Sequence, residues 1–120
     1  MMGQVSAKLR RVERGYSHWC PGCEEMHVIF DRWQFDGDLE KPTFNPSIKI
    51  TGKKTVKKDG RWTGEWVRDA NGNAVDDCCH YFLHAGVLKF CGDSLHALAG
   101  KNVELPDLPE HLRDGDGFGG

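Results

Sequence analysis

Apolar and polar residues exchange places along this chain in runs too short for helices. His27-Val28-Ile29-Phe30 reads as a strand, and Trp33-Gln34-Phe35 continues the alternation. Asp36-Gly37-Asp38 is turn chemistry. Pro42 to Ile50 then reads as an extended segment punctuated by prolines, suited to a sheet edge. Asp59-Gly60 and Asn71-Gly72 mark two more turns, with Trp62 and Trp66 on the strand between them. The clearest hairpin is Tyr81-Phe82-Leu83, a tight His84-Ala85-Gly86 loop and Val87-Leu88-Lys89-Phe90. Residues 92–100 read as a capped helical turn ended by glycine, and Asn102 to Leu105 as a last short strand. Residues 1–15 are polar and basic, a short first strand or a loose arm. No amphipathic helix of three turns is visible. The pattern predicts a mainly β fold: one small antiparallel sheet or sandwich over residues 1–112, with one or two short helical turns. A flexible glycine-rich tail is expected over 113–120.

Composition limits how that fold is held. Apolar residues are 38% of the 120 and charged residues 28%, enough for one modest core. The formal net charge of −2 excludes a generally basic nucleic-acid coat. Without a signal-like or membrane-spanning apolar run, a soluble, cytoplasmic protein is expected.

Five cysteines and six histidines are many for this length. An odd, clustered set without an export signal points to metal rather than to a disulfide framework. Cys20-Pro21-Gly22-Cys23 places two thiols on one turn, and Zn²⁺ favours such soft donors in sets of four. On a strand Cys79 and His80 point to opposite faces, so they do not readily bind one ion. The expected structural Zn²⁺ site is therefore Cys20, Cys23, Cys79 and His96, with His80 as the leading substitute and Cys78 or His27 behind it. His27, His80 and Asp93 form a candidate second polar site. Lys53, Lys54, Lys57, Lys58, Trp62 and Trp66 form a candidate binding surface.

Four motifs in order carry a family resemblance: His18-Trp19-Cys20-Pro21-Gly22-Cys23 with His27; Pro42-Thr43-Phe44-Asn45-Pro46-Ser47; Cys79-His80-Tyr81-Phe82; and Asp93-Ser94-Leu95-His96 with Ala97 to Gly100. Over roughly residues 17–109 the chain resembles a group of small uncharacterised phage and prophage proteins often labelled ammonia monooxygenase. That label conflicts with the sequence, because the enzyme so named is embedded in a membrane. The resemblance implies a phage protein with a metal site, acting in the cytoplasm of an infected bacterium. The expected function is a protein-binding or regulatory factor whose partner is a host or phage protein, including a host defence system. Two alternatives stand beside it. One is nucleic-acid binding through the Lys/Trp hairpin 49–66. The other is a metal-dependent hydrolase with an open zinc position.

Overall fold

The computed structural model describes residues 3–59 and 61–113. The expected tail over 114–120 and Gly60 of the Asp59-Gly60 turn lie outside the described residues. Arg113, placed in that tail by the sequence reading, donates from Nε to the Leu108 carbonyl at 2.8 Å.

Among the described residues the fold is mainly β, as the alternation predicts. Strands β1 (Gly3–Gln4), β2 (Leu9–Val12), β3 (Gly15–Cys20) and β4 (Glu25–Phe30) form an antiparallel meander. After β5 (Gln34–Phe35) and β6 (Phe44–Lys53), the chain makes a separate hairpin of β7 (Thr55–Lys58) and β8 (Arg61–Trp66). It returns as β9 (Asp76–His84), β10 (Val87–Phe90) and β11 (Asn102–Glu104). The second sheet has the order β11-β10-β9-β6-β5. A single 3-10 turn, Glu110–Leu112, is the helical element among the described residues. None of the described helices is long and apolar enough to cross a membrane.

The two sheets share one core. Leu9, Cys20 and Ile29 from the first pack with Phe44, Ile48, Cys79, Tyr81, Leu83, Leu88 and Phe90 from the second. The pleat of β9 sends Cys79, Tyr81 and Leu83 inward, each at most 2% exposed, while His80 and Phe82 point outward. The β9–β10 turn is a two-residue loop in which Ala85 and Gly86 both have positive φ, 48° and 77°. That geometry matches the right-handed twist of the flanking strands.

Two irregularities shape the outer face of the second sheet. Opposite β9, Phe44 pairs with Leu83 and Ile48 with Tyr81, so residues 45–47 face Phe82 alone. This bulge lifts Ser47 onto the outer face, where Lys49 lies opposite His80. Beyond β10, the expected helical turn at 92–100 is instead a series of turns. Its backbone bonds to neighbouring strands as well as within itself: Leu95 N–H donates to the Cys78 carbonyl at 2.8 Å and Gly100 N–H to the Phe90 carbonyl at 3.1 Å.

Candidate functional site

The outer face of the second sheet assembles three residues from different segments. Ser47 comes from the β6 bulge, His80 from β9, and Asp93 from the turns after β10. His80 Nδ1 lies 3.0 and 3.2 Å from the two Asp93 carboxylate oxygens, and Nε2 lies 3.2 Å from Ser47 Oγ. The carboxylate can only accept, so Nδ1 carries the proton and Nε2 offers its lone pair to the hydroxyl. The hydrogen bond from His80, supported by the charge of Lys49, holds the Asp93 carboxyl below the usual carboxylate range. Lys49 Nζ is 3.6 Å from Asp93 Oδ2.

The scaffold fixes both partners of the imidazole. Ser94 is buried, and its hydroxyl accepts the His80 N–H and donates to the His80 carbonyl, each at 3.0 Å. The residue next to Asp93 thus clamps the backbone that carries His80. The Ser47 carbonyl accepts the Trp33 ring N–H at 3.3 Å. Exposed Phe82 lies beside the imidazole, ring centroids 6.4 Å apart.

On the inner face of the same strand lies a second cluster. Cys20, Cys23, His27 and Cys79 each offer one donor atom, and these atoms lie within 4.8 Å of one another. The Cys20-Pro21-Gly22-Cys23 segment is the β3–β4 turn, closed by Glu24 N–H to the Cys20 carbonyl at 2.8 Å. Cys23 N–H donates to Cys20 Sγ at 3.4 Å, and Cys20 Sγ is 3.8 Å from Cys79 Sγ. Hydrogen bonds from Cys23 and Cys79 pull the Cys20 thiol far below its ordinary value. The contact with Cys20 raises Cys23 and Cys79. Three sulfurs this close together suit a soft cation that would balance them as thiolates. His27 Nε2 adds a second sign, because it is buried and has no hydrogen-bond partner. These four residues could hold a metal ion.

Of the residues singled out in the sequence, Cys20, Cys23 and Cys79 come together. His96 Nε2 lies 3.5 Å from Cys79 Sγ, and the ring sits so close to Gly22 that a Cβ there would collide with it. The trio His27, His80 and Asp93 divides: His80 and Asp93 meet, while His27 joins the cysteines on the other side of the sheet. The lysines are largely engaged within the protein. Lys53 pairs with Asp76, Lys54 donates to the Leu95 carbonyl, and Lys57 lies 3.7 Å from Glu25. Trp62 and Trp66 rest against each other at 5.0 Å, and the Trp62 ring N–H donates to the Glu65 carbonyl at 2.8 Å. Ser47 was absent from the sequence candidates. It lies within the Pro42–Ser47 motif, where no local pattern sets it apart.

No curated protein and no solved structure matches the chain. One family model, described as bacterial ubiquitination-like system serine protease (BubE), matches residues 2–91, or 90 of the 120 residues. The matched span contains Ser47 and His80, and Asp93 follows just beyond it. This match corrects the expected membership among uncharacterised phage proteins labelled ammonia monooxygenase. It also overturns the expected role as a protein-binding or regulatory factor. Nor does it support either alternative, nucleic-acid binding through the Lys/Trp hairpin or metal-dependent hydrolysis at an open zinc position. The chain belongs to the BubE family of bacterial ubiquitination-like system serine proteases.

Proposed function

We propose that this chain cleaves acyl bonds with Ser47 as nucleophile, His80 as general base and then acid, and Asp93 as the group that orients His80. The observation that carries the reading is the single imidazole bridging a carboxylate and a serine hydroxyl. In the first half-reaction Ser47 Oγ attacks the substrate carbonyl carbon and its proton passes to His80 Nε2. The tetrahedral intermediate collapses as His80 returns that proton to the leaving amine, leaving an ester on Ser47. In the second half-reaction water attacks that ester, again giving a proton to Nε2, and the carboxyl product leaves as Ser47 regains its hydrogen. Asp93 stays ionised throughout and stabilises the imidazolium formed in each half. The family description supports a protein of a ubiquitination-like system as substrate.

The cysteine cluster serves the fold in this reading. Its soft donors suit Zn²⁺, which would tie the β3–β4 turn to β9. We assign His27 as the fourth ligand. His96 Nδ1 accepts the Leu98 N–H at 3.1 Å, so the ring's own proton sits on Nε2 and points at Cys79. His96 then donates to a thiolate, whereas His27 Nε2 has no other occupation.

A fluorophosphonate probe, which esterifies an activated serine, tests the catalytic reading. Labelling should map to Ser47 by mass spectrometry, vanish in Ser47→Ala and fall sharply in His80→Ala. Undiminished labelling of Ser47→Ala, or none of the folded wild type, would refute it.

A further inference from the structure

Beside the triad stands a thiol that the hydrolytic reading does not use. Cys91 follows β10, and its N–H donates to the His80 carbonyl at 2.8 Å. It therefore continues the pairing that sets Phe90 opposite Tyr81, one step along, and lies across from His80. Phe90 and Tyr81 are both buried, so the next pair faces outward, and cross-strand neighbours on one face are close enough to share a ligand. The donor atoms of Cys91, His80 and Asp93 all lie within 4.8 Å of one another.

We infer that Cys91, His80 and Asp93 form a second divalent-metal site, suited to Zn²⁺, whose occupation switches the triad off. This inference rests on the catalytic reading of the same histidine. The donors are one thiol, one imidazole and one carboxylate, a mixed set that Zn²⁺ accepts. Cys91 and His80 are partly exposed and Asp93 is exposed, so the ion can enter from solvent and keep water as its remaining ligand. The thiol releases its proton to solvent as the sulfur–metal bond forms.

The inhibition follows from the tautomer. The His80 nitrogen that faces Asp93 is Nδ1, and a metal can bind it only through a lone pair. The ring proton must then reside on Nε2, the nitrogen 3.2 Å from Ser47 Oγ. In that state Nε2 is a donor and has no room for the serine proton. Asp93, drawn to the ion, no longer orients the ring. Metal binding and base catalysis are thus mutually exclusive at one imidazole. Lys49, 3.6 Å from Asp93 Oδ2, opposes a cation there and sets the site apart from the buried cluster as the weaker of the two.

The test uses the full chain with its cysteine cluster loaded with zinc and excess metal removed. Added CoCl₂ should bind as one further equivalent and give the near-ultraviolet charge-transfer absorption of a cobalt–thiolate bond. Added ZnCl₂ should slow fluorophosphonate labelling of Ser47 by roughly tenfold or more, reversibly on dilution. In Cys91→Ser the cobalt band should disappear, and half-inhibition should need at least about tenfold more zinc. Cys91→Ala repeats the test without a hydroxyl that could itself ligate. A band that persists in both variants, or labelling of the wild type unaffected by zinc, overturns the inference. A wild type that takes up cobalt through Cys91 yet never reacts with the probe upholds the metal site and sinks the catalytic reading instead.

Discussion

Asp93→Asn is the most discriminating perturbation of the triad, because it preserves shape while changing charge and proton direction. In the native arrangement Nδ1 meets two carboxylate oxygens, at 3.0 and 3.2 Å, both acceptors. An amide turns one of them into a donor, so the ring can flip its proton to Nε2 and lose the lone pair that Ser47 needs. In a triad with a buried aspartate the same change costs about 10⁴ in rate. Here the Asp93 side chain is 49% exposed and already shared with Lys49, so solvent and lysine screen part of its effect on the imidazolium. The expected loss is therefore smaller, about 10²- to 10³-fold in the labelling rate at neutral pH. Labelling kinetics with a fluorophosphonate and hydrolysis of an activated ester both report it, and thermal melting should remain near wild type because the site is exposed. An Asp93→Asn protein that reacts within about threefold of wild type would show that the contact is a surface pairing without catalytic consequence.

Three further outcomes are expected. Cys79→Ser, or prolonged chelation, should collapse the melting transition: structural zinc contributes on the order of 10–16 kcal/mol in finger peptides, against about 5–15 kcal/mol for a whole domain. An unaltered melt of metal-free protein would contradict a structural ion. His18 is wholly buried, and desolvation, with the neighbouring His27, lowers it to about 4 from an ordinary value near 6.5. The native state then binds fewer protons than the unfolded chain between those values, so this contribution is complete above pH 6.5 and is lost as pH falls toward 4. The gap of about 2.5 corresponds to about 3 kcal/mol, readable in urea melts at pH 7 and pH 4.5 and diminished in His18→Gln. Ser94→Ala removes both bonds that clamp the His80 backbone; it should cost about 1–3 kcal/mol and slow labelling several-fold, whereas Ser94→Thr should restore much of the rate.

How far the sequence foretold this molecule depends on the range of the interactions involved. The Tyr81–Phe90 hairpin was legible because its signals are local: alternation on both arms and a loop able to take positive φ. The cysteine cluster was legible in outline, since a CxxC turn and the inward phase of Cys79 both follow from near neighbours. The imidazole beside it was not, because His27 reaches the cysteines through its pairing opposite His18 across β3 and β4, a register the sequence does not state. Of the polar trio read from the sequence, His80 and Asp93 meet, whereas His27 lies with the cysteines on the other side of the sheet. Ser47 escaped notice for a structural reason: the β6 bulge, which no composition signal announces, brings it to the outer face beside His80. Residues 92–100 read as a capped helical turn but form a series of turns, because several of their amides find partners on β9 and β10.

Adjacent positions on β9 look in opposite directions, Cys79 toward the buried thiols and His80 toward solvent. A shift of that strand by a single residue would exchange the two, sending the imidazole into the interior and stranding the sulfur outside. The cysteine cluster therefore works as a latch on alignment: it fixes which side chain of β9 reaches the open surface, and with it the imidazole that the proposed mechanism uses as its base.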